Sequence, residues 1–273
     1  DSSAPAEYAE RIREESERCG LPVSNYTIAA DFLTGSGGDL QREIHHPVSE
    51  KQEMVWKQNL SLKQGPFFAR EVDDFYHTMR LGELPHHTCL SYRNGHQREC
   101  LLASFDSNKK IILVWKHETV VARACIRLTK GSFQKPAAYI LAFADLTKEN
   151  QLIQERPDGE KLVLFLERIY TSGINDTEEK TVMKMAVSMV TQKAAELGAV
   201  AVLARRYYDC YEGDQSIATR FYVYISKSKD GQQYLDSLGG ASVTSHEEQY
   251  VESAFLVDQA SLHIAGTAEK EAV

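Results

Sequence analysis

The stretch from Leu162 to Ala204 limits the possible folds more than any other part of the chain. Leu162-Val-Leu-Phe-Leu-Glu-Arg-Ile-Tyr170 is almost continuously apolar and reads as a buried strand. Asp176 or Thr177 can cap a following helix, in which Val182, Met185, Ala186, Met189, Val190, Ala194 and Leu197 recur at i, i+3, i+4 spacing up to Gly198. Ala199-Val-Ala-Val-Leu-Ala204 then reads as a second strand. Strand, amphipathic helix and strand within about forty residues make a βαβ-like unit, with the two strands parallel and the helix packed across them. Met185, Met189 and Leu164 are assigned to the core on this pattern.

The chain upstream supplies the partners for this unit. Lys110-Ile-Ile-Leu-Val-Trp115 and Thr119-Val-Val-Ala-Arg-Ala-Cys-Ile-Arg-Leu128 flank the polar turn Lys116-His-Glu118, which predicts an antiparallel hairpin. In its second strand Val120, Ala122, Ala124, Ile126 and Leu128 share the core face, and Val121, Arg123, Cys125 and Arg127 are expected exposed on the reverse. Residues 88–92, 99–105 and 220–225 read as further strands, and residues 230–238 as a helix. Helical patterns cover residues 6–19, 49–62 and 70–81, with the linker Gly35-Ser-Gly-Gly38 between the first two. The expected fold class is therefore α+β, a helical N-terminal third followed by a mixed, largely antiparallel sheet. The domain reading is an appendage and linker at 1–48, a core domain at 49–265 and a frayed tail at 266–273.

The hairpin, the long strand, the helix ending in Glu196-Leu-Gly198 and the short apolar strand resemble the core order of the GNAT acyltransferase fold over residues 110–204. The resemblance implies that an acyl-CoA pyrophosphate would lie on the turn Tyr170-Thr-Ser-Gly-Ile-Asn-Asp-Thr-Glu-Glu-Lys180, with Gly173 as its cofactor-binding glycine. It also implies a crevice where the long strand and the strand at Ala199 splay apart, near Glu167, Arg168, Tyr170, Tyr207 and Tyr208. Glu167 would be the general base that takes a proton from an acceptor amine. The turn departs from the family signature: it has one glycine, and Asp176, Glu178 and Glu179 would repel a pyrophosphate.

Two other clusters carry chemistry. His86-His-Thr-Cys89, followed by His96 and Cys100, offers His87, Cys89, Cys100 and a further histidine as zinc ligands, or Cys89 as a thiolate activated by His87. The plain alternative is a pair of small buried thiols behind a histidine-bearing loop. Arg123, Arg127, Lys130, Lys109, Lys110 and Lys116 form a second cluster, extended by Arg205, Arg206 and Arg220, that suits a nucleic-acid backbone with Trp115, Tyr222 or Tyr224 available for stacking.

Charge weighs against that partner, because 31 Lys and Arg against 39 Asp and Glu leave −8. A protein partner is expected instead, with nucleic acid the lesser alternative. No apolar run reaches the ~18 residues that a membrane span needs. The five cysteines are scattered without a CxxC, which predicts reduced thiols and a cytoplasmic setting. The expected function is a non-enzymatic binding or regulatory module, a piece of a larger bacterial polypeptide, with no cofactor and no metal. The alternatives are an acyl-CoA-dependent acyltransferase using Glu167, with Tyr207 at its crevice, and a cysteine- or zinc-dependent enzyme using His86 to Cys100.

Overall fold

Branched and aromatic side chains set the longest strands. In Lys109–Lys116 (β3) and Thr119–Ser132 (β4) they alternate between the faces of an antiparallel hairpin, whose turn places His117 at φ 56. A bulge opposite Val114 and Trp115 leaves Val121 unpaired and sends it to the same side as Ala122. The structure is a computed structural model that describes residues 40–44, 46–134, 159–210, 216–225, 233–234, 236–238, 242–243, 250–258 and 260–261. The helix expected over 6–19, the linker at 35–38 and the tail from 266 lie outside these residues.

Two short helices, Leu40–Ile44 (α1) and Glu50–Lys57 (α2), come first. Ser49 and Gln52 close a capping box on α2, as the Ser49-Glu-Lys-Gln52 spelling predicts. Ser61–Gln64 (β1) and Phe67–Val72 (β2) then form a hairpin, and Phe75–Met79 (α3) follows. Beyond β4 come Lys161–Leu166 (β5), Tyr170–Thr171 (β6), Asp176–Leu197 (α4), Val200–Leu203 (β7), Ser216–Tyr224 (β8), Ser242–Val243 (β9) and Tyr250–Asp258 (β10).

The strands join in the order β1-β2-β3-β4-β5-β7-β10-β8, with β6 on β4 and β9 on β10. All pairings are antiparallel except β5 with β7, which the crossover through α4 makes parallel, as the strand–helix–strand pattern predicts. β4 also pairs with β8 through Gly131 with Val223 and Ser132 with Tyr222, so β4, β5, β7, β10 and β8 close into a ring. β3, β2 and β1 continue as a wing from the first part of β4, which β6 also joins.

One core lies on the α4 side of the sheet, where Leu164 and Met185 are fully buried and Met189 is 2% exposed, as the helical pattern predicts. A second, smaller core lies on the opposite face of β2 and β3, under residues 75–105.

The helical N-terminal third is overturned. Between residues 40 and 91 the described chain contains two strands and only short helices, and the molecule is dominated by a curled ten-stranded sheet. Val72, Phe75 and Met79 match a helical spacing by coincidence, because the pattern spans the end of β2 and the start of α3. The strands expected at 88–92 and 99–105 are also absent. The first is a run of turns, and the second is the 3-10 helix Arg98–Phe105. At Gly82 an added Cβ would lie 2.2 Å from the Leu90 backbone, a close approach that folds this segment on itself over the sheet.

Candidate functional site

The face of β4 that alternation places in solvent is covered. Arg123 and Arg127 are each 2% exposed, because residues 81–105 lie over them and the chain around Tyr234 and Ser237 closes the side. A polar residue at every second position means a wet face only where the sheet has one layer, and here it has a second, irregular one. Beneath that cover is a cavity of about 20 Å3, room for one or two water-sized groups, bounded by Arg123, Cys125, Arg127, Glu167, Tyr170 and Tyr234. Lys109 and Arg168 also reach it, and Leu81, Leu90 and Ala103 supply apolar wall.

Each charge in this lining has a different arrangement. Arg127 donates to Glu167 Oε1 from Nε at 3.1 Å and from Nη2 at 2.7 Å, while its Nη1 is buried with no partner among the described residues. Ser237 Oγ donates to the other carboxylate oxygen of Glu167. Lys109 donates to the Ala103 carbonyl at 2.5 Å, to Gln233 Oε1 at 2.7 Å and to Asp106 at 3.1 Å, and burial lowers its pKa.

Arg123 has no carboxylate partner among the described residues. Its Nη2 donates to Thr88 Oγ1 at 3.3 Å, its guanidinium lies 4.4 Å from the centre of the Tyr170 ring, and its Nε is buried without a partner among the described residues. Burial lowers its pKa too, though an arginine stays cationic. Arg168, exposed at the rim, flanks Tyr170 at 5.5 Å. Tyr170 and Tyr234 hydrogen-bond through their hydroxyls, and Tyr234 also meets Cys89 Sγ at 3.0 Å. Burial pushes the Cys125 thiol up to about 12, with Glu167 reinforcing it, so Cys125 faces the cavity as a neutral thiol.

The residues singled out from sequence are dispersed by comparison. Glu167 lines the cavity as half of a buried ion pair. Tyr207 is fully buried in the 3-10 helix Arg205–Cys210, where its hydroxyl donates to the Glu167 carbonyl at 2.8 Å and burial pushes its pKa well up. Cys89 reaches the cavity margin through Tyr234, whereas His87 is exposed and lies 3.5 Å from Glu83. Among the described residues no three His, Cys, Asp or Glu gather as a metal-binding group.

Gly173 takes φ +71 in the turn before α4, three residues beyond Tyr170, and is not part of the cavity lining. At that helix N-terminus Asn175 is the cap and forms a capping box with Glu178. Glu178 pairs with Lys116 at 2.6 Å, which holds its carboxyl below the usual range, and Glu179 pairs with Arg206 at 2.7 Å. β5 and β7 stay paired to Leu166 and Leu203, and the Ala204 amide donates to Leu166 beyond that point, so they do not splay within their length.

The basic cluster divides between faces. Lys109, Arg123 and Arg127 meet at the cavity, while Lys110 is drawn to Asp73 at 3.1 Å, Lys116 to Glu178 and Lys130 to Glu160. The cavity itself was not foreseeable from alternation alone. Its one signal was the pair of arginines, at i and i+4, on a strand otherwise built for burial.

No protein-family model, curated protein or solved structure matches the chain.

Proposed function

We propose that the protein is a non-enzymatic binding module whose ligand site is the cavity beneath the arginine face of β4. The observation that carries this reading is the state of Glu167: both carboxylate oxygens are engaged, one by Arg127 and one by Ser237, inside the protein. A general base needs an accessible lone pair aimed at the proton it removes. The turn before α4 supports the same reading, because its helix terminus is already capped by Asn175 and ringed by Asp176, Glu178 and Glu179. The reduced thiols of Cys89 and Cys125, which form no disulfide among the described residues, fit the cytoplasmic setting we assign to it. No helix among the described residues is long and apolar enough to cross a membrane.

Calorimetry with acetyl-CoA tests the reading. The expected result is no saturable heat and no turnover with small amine acceptors. Saturable binding that is lost in Gly173→Val, together with turnover that is lost in Glu167→Gln, would overturn it in favour of acyl transfer.

A further inference from the structure

We infer that the cavity binds a small oxyanion, a carboxylate or phosphate group held between the Arg123 Nε and Arg127 Nη1 donors. This names the ligand class of the proposed binding module and rests on that reading for its biological sense, though its chemistry is argued independently.

Leaving a buried donor unsatisfied is costly, and more so for a charged group, so folded chains seldom leave two on one small cavity without use for them. Both atoms belong to side chains 2% exposed, and both residues line the same small space. Their spacing along one strand keeps them on one face, at i and i+4.

The charge balance agrees. Glu167 neutralises Arg127 and Asp106 neutralises Lys109, but Arg123 and Arg168 have no carboxylate partner among the described residues, so the lining carries excess positive charge. The Tyr170 ring, 4.4 Å from the Arg123 guanidinium and 5.5 Å from that of Arg168, stabilises both cations without accepting from their N–H donors. An anion in the cavity would supply both the missing charge and the missing acceptors.

Size narrows the class. Room for one or two water-sized groups admits the two oxygens of a carboxylate, or two of the oxygens of a phosphate head seated at its mouth, and excludes a nucleotide or a coenzyme A moiety. Any remainder of such a ligand would leave past Arg168 and Tyr170. The guanidinium is the side chain best shaped for these groups, because its N–H donors lie in a plane matched to paired oxygens.

The test is titration of the purified chain with inorganic phosphate and with acetate at constant ionic strength, chloride serving as the control. Saturable one-to-one binding of either oxyanion, absent with chloride and weakened at least tenfold in Arg123→Met, is expected. Phosphate alone would assign a phosphate head, and acetate alone a carboxylate ligand. If Arg123→Met fails to fold, Arg168→Ala at the exposed rim gives the same reading through a several-fold loss of affinity. No saturable binding of either ion, or binding unchanged in the folded variant, overturns the inference. Acyl-CoA turnover measured on the same sample would overturn the binding-module reading alone, so the two failures are distinguishable.

Discussion

Glu167, just past the end of β5, meets Arg127 of β4 with side chains 4% and 2% exposed, and such a pair is held together by the cost of parting it. Removing one partner strands the other charge in a dry site, which costs roughly 3–5 kcal/mol. Glu167→Gln is therefore expected to lower stability by that order in urea unfolding, and a variant as stable as the parent would refute the buried pairing. Cys125 gives a second residue-scale outcome. Its thiol is raised to about 12 by burial, so the folded state holds a proton that the unfolded chain releases above its ordinary value near 9. Stability should accordingly decline between about pH 9 and pH 12, and iodoacetamide at pH 8 should leave Cys125 unlabelled while the denatured chain is modified. Labelling at the rate of a free thiol would show that the cover over β4 is open in solution.

At the scale of elements, α4 was the most legible part of the chain because one apolar stripe is both necessary and sufficient to dock it on a sheet. Met185, Met189, Val190 and Ala194 follow that stripe inward. Its cap lies one or two residues before Asp176 and Thr177, since Asn175 is an equally competent cap and the Asn-x-x-Glu spelling of a capping box selects it. Asn175→Ala should cost about 1 kcal/mol and Met189→Ala about 2–5 kcal/mol, measured as shifts in denaturant midpoint. Equal effects would mean that packing of the helix does not dominate its stability.

The segment from residue 73 to 108 was illegible for the opposite reason. It docks through turns, a short helix and a 3-10 helix that share no period, so its apolar residues spell neither helix nor strand. The site inherited that difficulty: Arg123 and Arg127 were visible, but the layer that buries them was not.

The closing of the sheet is a property of the whole molecule, and it depends on one position. β4 is long enough to pair with β3 along its first part, with β5 along its last part, and with β8 at its end. The β8 contact requires the backbones to meet at Gly131, where an added Cβ would stand 2.5 Å from the Phe221 ring and 2.6 Å from the Tyr222 carbonyl oxygen. Phe221 is fully buried and packs edge-on to Phe133, so its ring has little room to retreat. No sequence pattern announces this contact, because it joins strands about ninety residues apart through a single missing side chain. A methyl group at this point must push β8 away or displace Phe221, and overpacking of that kind costs about 1–3 kcal/mol. Gly131→Ala should lower the thermal midpoint and speed amide exchange at Val223, whose strand loses its second neighbour, while the amides of β5 and β7 keep their protection. Faster exchange through β5 and β7 as well would mean that the seam holds the whole ring together, whereas unchanged exchange at Val223 would mean that β4 and β8 are not joined in solution.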